Sequence, residues 1–307
     1  MSVPRKVLVM GASGFVGSHV TRQLVARGDD VRVLLRQTSP TRGIDDLDVE
    51  RCYGDIFDSD AVRSAMADRD VVFYCVVDAR AMLPDPAPLI RTNVDGLRHV
   101  LDIAADADLQ RFVYLSTIGT IAVSRDGSAV TEDTPFNWAD KGGPYIAARR
   151  TAEDLVRRYT TERGLPAVTL CVSTPYGPRD WQPTPHGGLV ARAAAGKMPF
   201  YVTGVSTEVV GVEDAARALV LAAEHGRVGQ RYIISESYLS MRQLYEIAAG
   251  ETGVAAPRLG IPIAALYGAA YAMEPVRALR PGKVTPFLNL VRLAATTSPA
   301  DHSKATR

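Results

Sequence analysis

Short, continuous apolar runs alternate with amphipathic segments along the first third of the chain. Residues 6–10, 31–35 and 71–77 form such runs, and residues 15–27 carry apolar positions at helical spacing between the first two. Unbroken apolar runs are typical of strands that are buried on both faces of a sheet. The pattern therefore predicts parallel strands joined by crossover helices.

The alternation continues further along the chain, with strands predicted at 49–53, 111–115, 167–172 and 230–234. Asp214 and Ser240 each precede a helical pattern, and we expect both to cap a helix. Residues 261–273 are nearly all apolar, but Pro262 and Pro275 limit this run to about thirteen residues, too few to span a bilayer. The run is interpreted as a helix over a pocket, a packing helix or a membrane-surface contact.

Three glycines link the first predicted strand to the first predicted helix. Gly11, Gly14 and Gly17 are spaced Gly-x-x-Gly-x-x-Gly. Gly11 is expected to take the tight turn, Gly14 to let the backbone approach a pyrophosphate, and Gly17 to let the helix pack on the strand. The helix N-terminus then offers free N–H groups and a partial positive charge to an anion. This arrangement predicts a dinucleotide-binding turn.

The end of the second predicted strand bears on which dinucleotide is bound. NAD sites place an acidic residue there to hold the ribose hydroxyls, whereas NADP sites place an arginine near the 2′-phosphate. Arg36 stands where the acid would be, and Arg42 is a candidate second contact. NADP(H) is therefore favoured as the cofactor, with NAD(H) as the alternative.

Composition and charge narrow the class of protein. The chain has 307 residues, of which 47% are hydrophobic and 22% charged, and its formal net charge is +1. This is enough for a large core, and no basic block with interleaved aromatic residues points to nucleic acid. No secretory pattern precedes the first strand, and we expect a cytoplasmic protein without a membrane span. Residues 301–307 are expected to be mobile.

Cysteines and histidines give no sign of a metal site. The three cysteines, Cys52, Cys75 and Cys171, lie in or beside apolar runs without metal-ligand spacing, and the five histidines are scattered singly. We expect buried thiols in a reducing compartment and no metal.

Several motifs together resemble a known family. These are the glycine turn, Asn93-Val94-Asp95-Gly96, the segment from Tyr145 to Ala152-Glu153, and the phrase 173–185 with Gly196-Lys197-Met198-Pro199. The chain resembles the extended short-chain dehydrogenases/reductases of the NAD-dependent epimerase/dehydratase family. Within them it is most similar to hopanoid-associated sugar epimerases and their dihydroflavonol-reductase-like relatives. The resemblance covers about residues 6–263.

The resemblance implies a doubly wound parallel α/β Rossmann sheet with a small, interleaved C-terminal substrate lobe. Residues 1–172 would form the NAD(P)-binding Rossmann domain, and residues 173–307 would be mostly substrate-binding lobe, interleaved with the main sheet. Thr117, Tyr145 and Arg149 would be catalytic. Cofactor contacts would come from Gly11, Ser13, Gly14, Phe15, Val16, Gly17, Arg36, Asp55, Ile56, Val76, Val77, Tyr145, Arg149, Val172 and Thr174.

Arg149 departs from the family pattern, which is Tyr-x-x-x-Lys. Tyr145 and residue 149 are four apart, so on a helix they share one face and could both address the nicotinamide end. Arginine preserves the positive charge that a phenol needs beside it for proton transfer near neutrality, but it cannot relay a proton as an ammonium can. An active enzyme with a modified relay is expected, and a protein that binds NADP without turnover is the alternative.

The resemblance leaves three functions open. The leading one is an NADP-dependent oxidoreductase that acts on the carbonyl or alcohol of a small, largely apolar substrate, such as a flavonoid-, steroid- or terpenoid-like ketone. The second is a sugar epimerase or dehydratase, and the third a non-catalytic NADP-binding protein. A homodimer is implied by the family only. Candidate pocket walls are Ala79, Met82, Ile118, Trp138, Tyr176, Trp181, Met198 and Tyr201.

Overall fold

A parallel sheet of seven strands lies at the centre of the computed structural model, which describes residues 4–81, 83–124, 126–279 and 287–307. The strands are β1 (Lys6–Met10), β2 (Asp30–Leu35), β3 (Glu50–Tyr53), β4 (Val71–Tyr74), β5 (Arg111–Thr117), β6 (Ala167–Val172) and β10 (Arg231–Ile234). Their order is β10-β6-β5-β4-β1-β2-β3. The chain runs outward from β1 to β3 and then returns to the other side of β1, so a crevice opens between the carboxyl ends of β1 and β4.

Helices cover both faces of this sheet. They are α1 (Phe15–Ala26), α2 (Ser59–Met66), α3 (Ala87–Ile90), α4 (Leu97–Ala104), α5 (Ala139–Arg163) and α7 (Val212–His225), with a π-helical turn at Arg91–Gly96 and a 3₁₀ turn at Ile118–Thr120. On one face α1 packs against α7, and on the other α4 packs against α2 and α5. Each face buries its own apolar cluster, and the predicted doubly wound α/β architecture is confirmed.

Residues after Val172 contribute to both the main sheet and a smaller lobe. Its elements are β7 (Thr174–Tyr176), α6 (Pro185–Ala194), β8 (Phe200–Thr203), β9 (Ser206–Gly211), β11 (Ser237–Ser240), α8 (Met241–Glu251), β12 (Leu259–Pro262), α9 (Ile263–Leu279), α10 (Phe287–Ala295) and α11 (Ser303–Thr306). Strands β11, β9 and β7 form one small sheet, and β12 pairs with β8.

Two strand ends differ from the predicted ones, and both border the crevice. Strand β4 ends at Tyr74 rather than at residue 77, because its neighbour β1 ends at Met10, directly opposite Tyr74, where the glycine turn begins. Strand β5 instead continues two residues further than predicted, to Thr117, because β6 pairs with it as far as Val172.

Helix capping was predicted correctly at one position and wrongly at the other. Ser240 caps α8 and forms a capping box with Gln243. Asp214, by contrast, lies inside the first turn of α7, which begins at Val212 directly after the extended residue Gly211. An acidic residue in the first turn is still favourable, because it faces the positive end of the helix dipole.

The C-terminal part of the chain differs from the expectation in two ways. The apolar run is divided between β12 and α9, and α9 continues through Pro275. The tail predicted to be mobile, residues 301–307, is joined to the rest of the protein at its start, where the N–H of Asp301 donates to the Val130 carbonyl at 2.8 Å, and it forms α11. Among the helices that the structure describes, none is both long and apolar enough to cross a membrane.

We predict that alanine is tolerated far less at Gly11 than at Gly28. Both glycines have left-handed backbones, with φ of +86° and +83°. An alanine in this conformation lowers the stability of the fold by about 1–2 kcal/mol. Only at position 11 would the new Cβ also clash, 2.6 Å from the Cys75 carbonyl carbon, whereas nothing lies within 4 Å at position 28. Denaturant unfolding should show Gly11→Ala to be less stable than Gly28→Ala by about 1–3 kcal/mol. Equal losses would contradict this account of the turn.

Candidate cofactor and active site

The turn between β1 and α1 has room only for glycine at two positions. A Cβ on Gly11 would lie 2.8 Å from the Val76 nitrogen as well as against Cys75, and a Cβ on Gly17 would lie 2.1 Å from the Gly11 carbonyl oxygen. The N–H of Gly14 donates to that same carbonyl at 3.0 Å. The turn therefore brings the start of α1 close against the ends of β1 and β4, as the spacing predicts.

The N-terminus of α1 is open to an anion. Gly14 is exposed and occupies the cap position, no side chain caps the helix, and its first turn holds no acidic residue. Ser13, Phe15 and Val16 are half-buried around it. Free N–H groups at the positive end of a helix form a ready anion site, so these residues fit the diphosphate of a dinucleotide.

Two arginines follow β2 with their guanidinium groups unpaired. Arg36 is exposed directly after the strand, where its backbone forms a turn with Ser39. Arg42 lies further along the same loop, with its guanidinium carbon 3.8 Å from the centroid of the Trp181 ring. Within the described part of the chain, neither guanidinium has a hydrogen-bond or ion-pair partner. Both are therefore available to a phosphate.

The ends of β3 and β4 form the floor of the crevice. Asp55 follows β3 and accepts a hydrogen bond from the Phe57 N–H at 3.1 Å, while Ile56 packs against Gly96. Val76 is half-buried and Val77 is 40% exposed beyond the end of β4. Because these two valines lie beyond the end of β4, contacts from outside the sheet must hold their backbone in place.

Asn93 provides that order from the π-helical turn. Its Oδ1 accepts the N–H of Asp78 and its Nδ2 donates to the Asp78 carbonyl, both at 2.9 Å, and Asn93 is buried. Asp78 in turn pairs with Arg80, which lowers the pKa of the Asp78 carboxyl. A π-helical turn of this kind is frequent at functional sites. Here it fixes the segment that follows β4.

The hydroxyls at the end of β5 have different surroundings. Ser116 is buried and donates to Glu153 Oε2 at 2.7 Å, so its hydroxyl is already engaged. Thr117 is half-buried beside Val172, its partner in the register of β5 and β6, and its Oγ1 accepts the Gly119 N–H at 3.2 Å. The Thr117 hydroxyl keeps its proton free for a ligand. Thr174 lies just beyond, within 3.3 Å of the Thr207 hydroxyl.

Tyr145 and Arg149 lie on the same helix but have different environments. The helix bends at Gly143, where φ is +63°, so Tyr145 stands near the start of the straight segment and is half-buried. Arg149 is only 2% exposed and donates through Nη2 to the Leu115 carbonyl of β5. Its guanidinium also lies over the Tyr114 ring, 5.3 Å from the centroid. This differs from the expectation that both side chains face the nicotinamide.

Arg149 remains charged in this buried position. Burial opposes the charge, but Tyr114, Tyr145 and Glu153 lie close enough to offset the penalty, and the pKa of Arg149 is raised. The Nε of Arg149 and the hydroxyls of Tyr74 and Tyr114 are buried and have no hydrogen-bond partner among the residues that the structure describes. The positive charge of Arg149 therefore lies against the sheet and close to Tyr145.

A buried polar network beneath the site was not foreseen. Glu153 joins Ser116 to Arg231, whose Nη1 donates to Glu153 Oε1 at 2.8 Å, and the Nε of Arg231 donates to the Glu132 carbonyl at 3.0 Å. The Glu132 carboxylate accepts the Ile233 N–H at 2.9 Å. Glu153 was visible in the helix motif. Its partners come from distant parts of the chain, and nothing local in the sequence points to them.

The predicted pocket walls are not all at the crevice. Tyr176, Met198 and Tyr201 pack in the apolar cluster of the small lobe, and Trp138 is buried with its Nε1 donating to the Ile121 carbonyl. Ile118 packs against another buried cluster. Ala79 is exposed near Asp78, and Met82 lies outside the described residues. Trp181, which is 46% exposed, is the aromatic wall residue open to solvent.

The cysteines fit the expectation with one exception. Cys75 and Cys171 are buried, and burial raises the pKa of both thiols, that of Cys75 to about 12. Cys52 is only half-buried. Among the described residues, His, Cys, Asp and Glu side chains form no cluster that could hold a metal ion.

A family model matches most of the chain, including the glycine turn and the Tyr145 helix. Residues 7–235 match the NAD dependent epimerase/dehydratase family. The chain belongs to this family. It is an NAD(P)-dependent short-chain dehydrogenase/reductase of the extended type, as the resemblance implied.

Relatives of this extended type include reductases. The chain is 28% identical to "Sterol demethylase protein B" of Methylococcus capsulatus over 98% of this chain and 91% of that protein. It is 30% identical to a "Putative dihydroflavonol 4-reductase" of Synechocystis sp. over 83% and 75%. Ketoreductases and cinnamoyl-CoA reductases are further relatives. The crystal structure of gox2253 matches with a TM-score of 0.88 and 32% identity, covering 98% of this chain and 91% of that one.

We predict that breaking the buried Arg231–Glu153 pair destabilises the fold more than breaking an exposed pair. Arg231→Met would leave Glu153, whose side chain is 8% exposed, with the more distant Arg150 at 3.8 Å in place of Arg231 at 2.8 Å, which should cost about 2–4 kcal/mol. The matched control is Arg158→Met on α5, whose partner Glu162 is 61% exposed. This control should leave the unfolding midpoint nearly unchanged. Similar midpoints for the two variants would show that the network contributes little.

Proposed function

We propose that this protein is an NADPH-dependent reductase of a carbonyl group on a small, largely apolar substrate. The observation that carries the proposal is the pair of unpaired arginines, Arg36 and Arg42, after β2 of a chain whose relatives include ketone and acyl reductases. An arginine at this strand end suits the 2′-phosphate of NADP, whereas an acid would suit the ribose of NAD.

Cofactor binding would use the open N-terminus of α1 for the diphosphate and the two arginines for the 2′-phosphate. Asp55 and Ile56 would border the adenine, while Val76, Val77, Val172 and Thr174 would line the nicotinamide half. Bound NADPH supplies a hydride to the substrate carbonyl carbon. The protein supplies the orientation and the proton.

Tyr145 is the proposed proton donor. Its hydroxyl would give a proton to the substrate oxygen and regain one from solvent, while the Thr117 hydroxyl donates a hydrogen bond to the same oxygen. Arg149 would act from its buried position against the sheet. Its positive charge interacts with Tyr145 and stabilises the phenolate of Tyr145 that remains after proton transfer. Its bonds to β5 hold it as an electrostatic group. It takes no part in moving the proton.

The substrate is proposed to be apolar because of the groups on the open side of the site. Trp181 presents an indole that is 46% exposed, and an aromatic ring of this kind suits a ketone with aromatic or terpenoid character. The relative from Stigmatella aurantiaca is a ketoreductase for a farnesyl-bearing dihydroquinoline oxide by its printed name. This agrees with a lipophilic substrate.

Turnover distinguishes the proposal from its two alternatives. Net oxidation of NADPH by an apolar ketone supports a reductase. Conversion of a nucleotide sugar without net change in nicotinamide absorbance would replace it with an epimerase or dehydratase, which the family model also contains. Tight NADPH binding with no hydride transfer to any carbonyl would leave a non-catalytic binding protein.

We predict that Tyr145→Phe lowers kcat by at least about 100-fold, because the substrate oxygen loses its proton donor. Binding of NADPH, measured by calorimetry, should stay unchanged. The matched control is Tyr159→Phe on the same helix, where the phenol bonds Asp102 at 2.5 Å away from the site. That variant should keep its activity, and retention of full activity by Tyr145→Phe would reject the mechanism.

A second prediction concerns the choice of cofactor. Arg36→Ala should weaken NADPH binding about ten-fold or more, because a charge-assisted hydrogen bond to the 2′-phosphate is lost. Binding of NADH should be unaffected by the same change. Equal effects on both cofactors, or no preference for NADPH in the unmodified protein, would point to NAD instead.

A further inference from the structure

The loop after β2 contacts the substrate lobe at two places. In the first, the guanidinium of Arg42 stacks on the ring of Trp181 at 3.8 Å. In the second, Arg179 Nη1 lies 3.9 Å from Asp46 Oδ2. Helix α1 joins the same contact region, since His19 Nε2 lies 3.0 Å from the Pro178 carbonyl. A cofactor-side loop and a substrate-side loop therefore meet beside α1.

The backbone beside Arg42 is held against α1, close to the proposed diphosphate site. The next residue, Gly43, lies so close to α1 that a Cβ there would be 2.9 Å from the Ser18 side chain, and its carbonyl accepts Arg22 Nη2 at 2.7 Å. Ser18 belongs to the first turn of α1. The backbone that carries Arg42 is thus fastened to the helix whose N-terminus is the proposed phosphate site.

Trp181 is also held in place. Asp180 Oδ2 accepts both the N–H and the hydroxyl of Thr184, at 2.8 and 2.9 Å, and the Thr184 side chain caps α6. The loop that carries Trp181 is therefore ordered by its own hydrogen bonds up to the start of α6.

The stack leaves the binding groups of Arg42 free. A guanidinium stacks through its flat face, whereas its N–H groups point outward in the plane, where they match a phosphate. In the described residues the Arg42 side chain has Trp181 as its contact and no hydrogen-bond or ion-pair partner. Trp181 therefore limits the freedom of Arg42 without occupying its donors, which is how preorganisation raises affinity.

We propose that Trp181 is a positioning residue for the cofactor: it holds Arg42 in place to receive the 2′-phosphate, and the bound phosphate in turn fixes the substrate-side loop at Trp181. The inference rests on the proposed NADP preference and adds to it a coupling between cofactor type and the substrate side. Linkage requires that this coupling be reciprocal. Trp181 should therefore strengthen binding of the 2′-phosphate, and the environment of its ring should change when the phosphate binds.

Two adenosine fragments test this without turnover. By calorimetry, Trp181→Leu should weaken 2′,5′-ADP binding about two- to five-fold, the range for an exposed cation–π stack, and leave 5′-ADP binding unchanged. Trp181→Tyr should restore most of the affinity because it keeps an aromatic face. The matched control is Tyr271→Leu on α9, which removes a similarly exposed aromatic ring that lies under no arginine among the described residues and should change neither affinity.

Tryptophan emission gives the reciprocal measurement. The Trp181 signal, taken as the difference between the unmodified protein and Trp181→Leu, should shift on adding 2′,5′-ADP and stay constant on adding 5′-ADP. Arg42→Lys keeps the charge but loses the flat stack, so the change in total emission on adding 2′,5′-ADP should be smaller in this variant than in the unmodified protein, a comparison that does not require Trp181→Leu. Arg36→Ala should weaken binding but keep the shift at saturation.

The outcomes separate the coupling from the cofactor preference. If 2′,5′-ADP binds no tighter than 5′-ADP to the unmodified protein, the NADP preference fails and the coupling fails with it. If 2′,5′-ADP binds tighter, but neither its affinity depends on residue 181 nor the Trp181 emission responds, the coupling is overturned and the NADP preference stands.

Discussion

The close approach of α1 to the carboxyl ends of β1 and β4 is the constraint on which the site depends. The Gly11 carbonyl lies where a Cβ of residue 17 would be, and Gly11 itself presses against the backbone of Cys75 and Val76. This packing ends the pairing of β1 with β4 at Met10 and Tyr74. The residues that follow Tyr74 then form the floor of the crevice. It also leaves the first turn of α1 uncapped at that floor. One steric requirement thus creates the anion site and opens the crevice beside it.

The protein is nearly neutral overall, but three arginines place positive charge at particular points around the site. Arg36 and Arg42 lie at the surface after β2 without an ion-pair partner in the part of the chain that the structure describes, and an anion can reach them there. Arg149 instead carries its charge into the core, over the ring of Tyr114 and close to Tyr74, and burial raises the pKa of both phenols. These phenols stay neutral near physiological pH, so they offer Arg149 polarisable surface without neutralising it. The charge of Arg149 is therefore preserved for the phenol on its own helix.

The sheet and the glycine turn were predictable because their causes are local in sequence. Buried parallel strands need apolar runs, and a strand followed by Gly-x-x-Gly-x-x-Gly permits few conformations. The resemblance implies catalytic roles for Thr117 and Tyr145. The structure has Thr117 at the carboxyl end of β5 and Tyr145, half-buried, near the start of the straight part of α5. The direction of Arg149 was not predictable, since helical spacing sets the face of a side chain but leaves open whether its tip turns to the crevice or to the sheet.

What escaped prediction depends on contacts between distant segments. The Glu153–Arg231–Glu132 network and the Arg42–Trp181 stack each join elements that are far apart in the chain. Tyr176, Met198 and Tyr201 are candidate pocket walls, and the structure packs all three, partly buried, against the core of the small lobe. Apolar character alone does not distinguish a pocket wall from a core residue.

A crystal structure with NADP⁺ bound tests the central claim most directly. The account predicts the diphosphate within about 3 Å of the backbone N–H groups at residues 13–16, and the nicotinamide ring on the same side of the crevice as the Tyr145 hydroxyl. A diphosphate bound elsewhere, or a Tyr145 side chain directed away from the nicotinamide, would contradict it.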